Sequence, residues 1–163
     1  MRSLPFARCR IVVVASVVMI LITANTLRTQ PTAVATERTT DVTELKPVDD
    51  DMHHFMEYVF EPNYKRLKAG LAANPKDKSG WKSIKGDSLT LAEGANLLLL
   101  RRPEKNADDW RKLSVDVRRF GGEVYQAARK ADYTAARRSY VAMLRCCNSC
   151  HKQFADGEHQ LKP

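Results

Sequence analysis

Three residues near the end of this 163-residue chain have the types and spacing that could bind a haem. They belong to Cys147-Asn148-Ser149-Cys150-His151, a C-x-x-C-H sequence. On a helix, positions three and four apart share one face, so both thiols and the imidazole would point the same way. The thiols could bond the vinyl groups of one haem while an imidazole nitrogen of His151 coordinates its iron. The motif is therefore interpreted as a c-type haem attachment site.

A zinc site at Cys146, Cys147, Cys150 and His151 is the second interpretation of this stretch. It is disfavoured because the chain has no second C-x-x-C, and because adjacent Cys146 and Cys147 cannot readily face one metal from a regular helix. A thioredoxin-like redox motif would lie in a βαβ unit, which the flanking sequence does not predict. Cys146 lies off the thioether face and is expected to be a spectator or a site of oxidation.

Residues 1–35 have the pattern of an export segment. Three arginines precede the apolar run over 11–22, and no acidic residue occurs before Glu37. The run is shorter than the ~20 residues that a membrane-spanning helix prefers, which favours a signal peptide. An Ala33-Val34-Ala35 sequence has the form of a cleavage site but lies far beyond the run, so a retained N-terminal membrane anchor stays open. Either reading predicts a periplasmic protein, soluble or anchored.

The formal net charge of +8 includes four arginines that precede Ala35. No basic run is interleaved with aromatic residues, so nucleic-acid binding is not expected. A basic surface could attract redox partner proteins of acidic character. No Ser/His/Asp or Cys/His/Asn set stands out, and the chain is not expected to be an enzyme.

Residues 49–156 are predicted to form one all-α domain, after a linker over 36–48 and before a polar tail over 157–163. Apolar residues recur at steps of three and four in four segments, and no stretch alternates with a period of two. With three short connections, this pattern predicts an antiparallel up-down-up-down four-helix bundle.

The first helix is expected to begin near Asp49-Asp50-Asp51, whose carboxylates can cap open amides. Pro62 should kink or interrupt it, because proline lacks the N–H of the helical ladder. A polar loop over 74–80 precedes the second helix, which Pro103 ends. These features give the predicted bounds of the first two helices.

The third helix follows Asn106, and Asp132 is a plausible cap for the fourth. Gly121-Gly122 in the third helix would let a neighbouring helix or a flat ring approach closely. The apolar stripe of the fourth helix continues into the cysteines and the histidine of the motif. A haem held there would lie inside the bundle, where bundle cofactors usually lie.

An exported four-helix chain with Cys147-Asn-Ser-Cys150-His151 and the following Lys152-Gln-Phe154 on its last helix resembles the class II c-type cytochromes. This family includes cytochrome c-prime and its low-spin, methionine-ligated relatives, and the resemblance covers about residues 48–156. It implies one haem c per chain, with Cys147 and Cys150 as the haem thioethers and His151 as the proximal iron ligand. It also implies a single-haem electron carrier.

The resemblance makes the first helix the source of the sixth iron ligand. Met56 is closest to the family's distal position, and Met52 is the alternative one turn earlier. His53 and His54 are further axial candidates, although His53 is also placed to pair with Glu57. If neither methionine binds, the chain would instead resemble five-coordinate cytochrome c-prime, which binds nitric oxide or carbon monoxide.

Two further expectations concern the outer surface. Leu97, Leu99 and Leu100 around the second helix would permit a homodimer, but an all-round apolar segment can equally be buried within the monomer. His159 lies in the polar tail and is expected to be solvated.

Overall fold

A computed structural model describes residues 45–163, of which 76% are helical, and no strand occurs within that range. Helix α1 consists of the α-helical turn Met52–Phe55, the π-helical turn Met56–Phe60 and the α-helix Glu61–Ala72. Helix α2 is Lys78–Leu98, followed by the 3-10 turn Leu99–Arg101; helix α3 is Ala107–Arg129 and helix α4 is Tyr133–Phe154. The all-α prediction is confirmed.

The export segment predicted over 1–35 lies outside the described residues, as does the linker up to residue 44. The remaining linker residues 45–48 are not helical. Across the described range, no helix is long and apolar enough to cross a membrane.

Aspartates cap the first, second and fourth helices. The Asp51 side chain accepts hydrogen bonds from the backbone N–H groups of His53 and His54, and Asp132 accepts one from Ala135, as the sequence predicts. The predicted loop over 74–80 was wrong at its end. Asp77 accepts a 2.7 Å hydrogen bond from the Gly80 N–H, so α2 begins at Lys78. Because Asp77 satisfies an amide of the first turn, residues 78–80 of the predicted polar loop are helical instead.

Pro62 does not end the first helix, but the regular α-helical hydrogen bonding is interrupted directly before it, in keeping with the expectation. The chain passes through the π-helical turn Met56–Phe60, and the N–H of Glu61 donates to the carbonyl of Met56. Proline cannot donate to the carbonyl four residues before it, and its ring crowds that carbonyl. A wider turn directly before Pro62 accommodates this defect and keeps the segment helical. The Asn63 side chain donates to the Val59 carbonyl at 2.6 Å and satisfies it locally.

Side-chain hydrogen bonds fix the ends of the helices to one another. Trp110, at the start of α3, donates from Nε1 to the carbonyl of Leu98 at the end of α2, at 2.8 Å. Tyr133, at the start of α4, donates to the carbonyl of Leu71 near the end of α1, also at 2.8 Å. Between these ends lies a core of large buried side chains: Leu67, Ile84, Leu91, Val117, Val124, Tyr140, Met143 and Leu144.

Gly121 permits a close approach between α2 and α3. A Cβ at this position would lie 3.2 Å from the Cβ of Ala92 and 3.3 Å from its backbone nitrogen. Gly122 has no such neighbour within 4 Å. The predicted close approach is therefore made by Gly121 alone.

The apolar segment at the end of α2 faces solvent in part. Leu97 is 44% exposed, and Leu99 and Leu100 are each 37% exposed. Burial of this segment within the monomer is thus incomplete, and the homodimer stays a prediction.

Candidate functional site

A cavity of about 660 Å³ lies among the four helices and the chain that follows α4. Its volume is in the range of cofactor and small-molecule sites. Most of its wall is apolar, and every helix contributes to it. The wall includes Met52, Met56, Phe60 and Tyr64 from α1, Leu91 and Leu98 from α2, Leu113, Ser114 and Val117 from α3, and Met143, Leu144, Cys147, Cys150 and His151 from α4.

The cysteines and the histidine of the C-x-x-C-H motif lie together on the wall of this cavity. Cys147, Cys150 and His151 are each partly buried and belong to the last turns of α4. The same face of α4 carries Met143 and Leu144, which are almost fully buried one turn earlier. That packing fixes the rotation of α4 about its axis, so the motif faces the cavity.

Burial keeps the two cavity cysteines protonated at neutral pH. It raises the pKa of Cys147 to about 12 and that of Cys150 to about 11. Both side chains are therefore thiols and poor nucleophiles for disulfide exchange. No disulfide joins the three cysteines of the described range.

Cys146 is not part of the cavity wall. It is partly buried against the hydrophobic core, and burial raises its pKa as well. Asp116 of α3 adds to the rise because its negative charge opposes a nearby thiolate. Cys146 thus faces a different environment from the two cysteines of the motif.

The His151 ring has a defined hydrogen-bond partner. Its Nδ1 lies 2.9 Å from the backbone carbonyl oxygen of His159. A carbonyl oxygen only accepts, so Nδ1 must carry the proton in this hydrogen bond. Burial lowers the pKa of His151, which favours the neutral ring. In this tautomer Nε2 has a free lone pair and can coordinate a metal ion.

Three methionines line the cavity. Met52 and Met56 both reach it from α1 and also pack against the hydrophobic core. Met143 of α4 is the third, and the sequence analysis did not single it out. It lies four residues before Cys147, and that spacing on one helix face was the available signal.

The two histidines of α1 differ in their surroundings. His53 lines the cavity, but its ring is largely exposed and its Nε2 lies 3.6 Å from the Glu57 carboxylate, as predicted. His54 is absent from the cavity wall. Its Nδ1 lies 2.9 Å from the Asp49 carboxylate, and this hydrogen bond raises the pKa of His54. His54 is therefore engaged at the helix start.

The C-terminal residues fold back over the site, which the sequence analysis missed. The N–H of Leu161 donates to Oδ1 of Asn148 at 2.7 Å, and Nδ2 of Asn148 donates to the Leu161 carbonyl at 3.0 Å. Leu161 packs against the hydrophobic core, and His159 and Gln160 join it on the cavity wall. The His159 side chain is 69% exposed, in keeping with the expected solvation, but its carbonyl binds His151.

Within residues 45–163, no three His, Cys, Asp or Glu side chains are grouped to hold a metal ion. A zinc site of the kind weighed above would require such a group. A haem iron would not, because the porphyrin supplies its equatorial ligands and the protein supplies axial ones.

Comparisons with protein-family models, with curated proteins and with solved structures each found no match. What the cavity can bind is therefore inferred from the residues that line it. It combines two protonated thiols, a neutral imidazole with one free nitrogen, and thioether sulfurs in apolar surroundings.

Proposed function

We propose that this chain is an exported c-type cytochrome that carries electrons with one haem bound in the cavity. One observation carries the proposal: Cys147, Cys150 and His151 of the last helix share the cavity with Met52 and Met56 of the first. Two thiols, an imidazole and a thioether are the groups that attach a c-type haem and ligate its iron.

Each group has a role in this proposal. Cys147 and Cys150 would form the thioether bonds, and His151 would be the proximal ligand through Nε2. Met56 would be the sixth ligand, with Met52 as the alternative. The haem, when bound, supplies one-electron redox chemistry.

The chain would tune this chemistry through the surroundings of the iron. Leu91, Leu98 and Val117 line the cavity, and apolar walls exclude water and disfavour the additional positive charge of ferric haem. A methionine ligand also raises the reduction potential relative to bis-histidine ligation. Both effects favour ferrous haem and therefore predict a moderately high reduction potential for this protein.

The fold in this proposal is an antiparallel up-down-up-down four-helix bundle. Contacts between the start of one helix and the end of another support it, namely Trp110 with Leu98 and Tyr133 with Leu71. Near the end of α4, Nε2 of Gln153 donates to Asp109 in the first turn of α3 at 2.8 Å. Cofactors in such bundles lie in the core between facing helices.

The location and partners in this proposal follow from the sequence. In this proposal the export pattern over 1–35 directs the protein to the periplasm, where it would be either soluble or anchored. Redox partner proteins with acidic surfaces would complement the positive net charge, which is +8 for the full chain and +4 after the four arginines before Ala35 are subtracted.

Absorption spectra test the proposal. The full chain is produced with haem-attachment machinery and measured oxidised, reduced, and reduced under carbon monoxide. We expect a sharp low-spin reduced spectrum, a weak band near ~700 nm in the oxidised form, and no response to carbon monoxide.

The alternative function gives a different spectrum. A broad high-spin form that shifts with carbon monoxide would mean open iron and a gas-binding protein. Open iron would require Met56 to turn away from the cavity, for example through the irregular turn before Pro62, whereas Met56 lines the cavity wall. Absence of any haem band would overturn both functions.

A further inference from the structure

Residues 157–163, named here the C-terminal strap, are held at three places. Asn148 forms its paired hydrogen bonds with Leu161 of the strap. The carbonyl of Lys162 accepts from the Tyr64 hydroxyl at 2.9 Å and from Nζ of Lys68 at 2.8 Å. The side chain of Leu161 packs on the core. The strap thus joins the last helix to the first.

The chain reverses sharply between α4 and the strap. The N–H groups of Ala155 and Gly157 both donate to the His151 carbonyl, at 2.9 and 3.0 Å. Asp156 has φ 49°, Gly157 has φ 80° and His159 has φ 56°, all in the left-handed region. Non-glycine residues adopt this region at a cost, so the surrounding contacts must hold them there. The reversal brings the His159 carbonyl oxygen within hydrogen-bond distance of His151 Nδ1.

We propose that Asn148 is a positioning residue that clamps the strap, so that the His159 carbonyl holds the His151 ring in the tautomer whose Nε2 faces the haem iron. The inference rests on the proposed function, because only that function makes the haem iron the partner of His151 Nε2. The hydrogen bond from Nδ1 also makes the imidazole a stronger donor to the metal.

The side chain of Asn148 suits this role because one amide offers both a donor and an acceptor. It satisfies the N–H and the carbonyl of Leu161 together, two residues from His159. Ser149, the other residue between the cysteines, donates only to the Arg145 carbonyl within its own helix, at 2.9 Å. The two inner positions of the motif therefore differ in function, and Ser149 is a matched control.

The experiment compares Asn148→Ala with Ser149→Ala in the full haem-loaded chain. Hydrogen exchange follows the Leu161 amide, nitrogen-15 NMR of the diamagnetic reduced protein follows the His151 Nδ1 proton, and a redox titration gives the potential. In Asn148→Ala we expect the Leu161 amide proton and the His151 Nδ1 proton each to exchange about tenfold faster or more, because the two hydrogen bonds between Asn148 and Leu161 are lost. The potential should rise, because a weaker imidazole donor stabilises ferric iron less.

The controls separate positioning from general damage. Ser149→Ala should leave both exchange rates and the reduction potential unchanged. Asn148→Asp keeps the acceptor for the Leu161 N–H but loses the donor, so its exchange rates and potential should lie between those of the parent and those of Asn148→Ala. An unchanged Leu161 amide in Asn148→Ala would overturn the clamp. A faster Leu161 amide with an unchanged His151 proton and potential would overturn the positioning role.

Failure of the proposed function would look different. If the chain takes up no haem, the nitrogen-15 shifts of His151 and the Leu161 amide still report on the strap in the haem-free protein. A His151 ring protonated at Nδ1 in the parent and redistributed between tautomers in Asn148→Ala would support the positioning role. The same tautomer in both proteins would contradict it.

Discussion

Met56 on the first helix and His151 on the last line the same cavity, although they lie near opposite ends of the described chain. Met56 is also the first residue of the π-helical turn that precedes Pro62. Such turns are rare and occur often at functional sites. The departure from regular helix geometry therefore coincides with the residue expected to complete the iron coordination.

Replacing Met56 tests the sixth ligand. Met56→Leu keeps the side-chain volume but removes the sulfur, so we expect a high-spin protein that binds carbon monoxide and has a lower reduction potential. Met52→Leu is the matched control and should keep the low-spin spectrum. The reverse pattern would identify Met52 as the ligand, and two unchanged spectra would rule out both methionines.

The three cysteines of α4 should differ in covalent attachment. Cys147→Ala and Cys150→Ala each leave one vinyl group unreacted, so the reduced pyridine haemochrome band should move to longer wavelength. Cys146→Ala should leave the band unchanged, since Cys146 is off the cavity wall. A shift in Cys146→Ala equal to that in Cys147→Ala would contradict the assignment of the thioethers.

Adding a methyl group at the two adjacent glycines of α3 should have opposite effects on stability. Gly121→Ala would press a Cβ against Ala92, and we expect the free energy of unfolding to fall by about 1–3 kcal/mol. Gly122→Ala meets open space and should raise it by up to about 1 kcal/mol through helix propensity. Denaturant unfolding of the two variants measures both, and equal effects would contradict the close approach of α2 and α3.

Two tyrosines of α4 offer a similar contrast. Within residues 45–163, the buried hydroxyl of Tyr140 has no hydrogen-bond partner, and burial raises its pKa. We expect Tyr140→Phe to raise the free energy of unfolding by about 1 kcal/mol, because it removes an unsatisfied polar group.

The control is Tyr133→Phe, which loses the hydrogen bond to the Leu71 carbonyl and should lower the free energy of unfolding by about 1 kcal/mol. Urea unfolding of the haem-containing protein is the measurement. A destabilised Tyr140→Phe variant would mean that this hydroxyl gains a partner in the loaded protein.

Local rules predicted much of the fold. Asp51 and Asp132 cap helices because aspartate satisfies open amides, and this depends only on nearby residues. Apolar spacing also placed the motif on the buried face of α4. The effect of Pro62 was less predictable, since the sequence shows the missing N–H but not whether the helix ends or widens.

The strap could not be predicted, because its structure depends on distant contacts. Its composition is polar, like that of a solvated tail, and the left-handed backbone occurs at His159 of the strap and at Asp156 directly before it, as well as at Gly157. The pairing of Asn148 with Leu161 and the bond from Tyr64 to Lys162 appear only once α1 and α4 are packed. No local pattern encodes such contacts.

The intact mass of the exported chain under denaturing conditions tests the central claim most directly. Denaturation releases a haem held only by His151 and methionine, whereas thioether bonds persist. We predict that the mass exceeds that of the chain by one haem, and that the Cys147→Ala, Cys150→Ala double variant loses this increment. An unmodified chain after production with haem-attachment machinery would contradict the account.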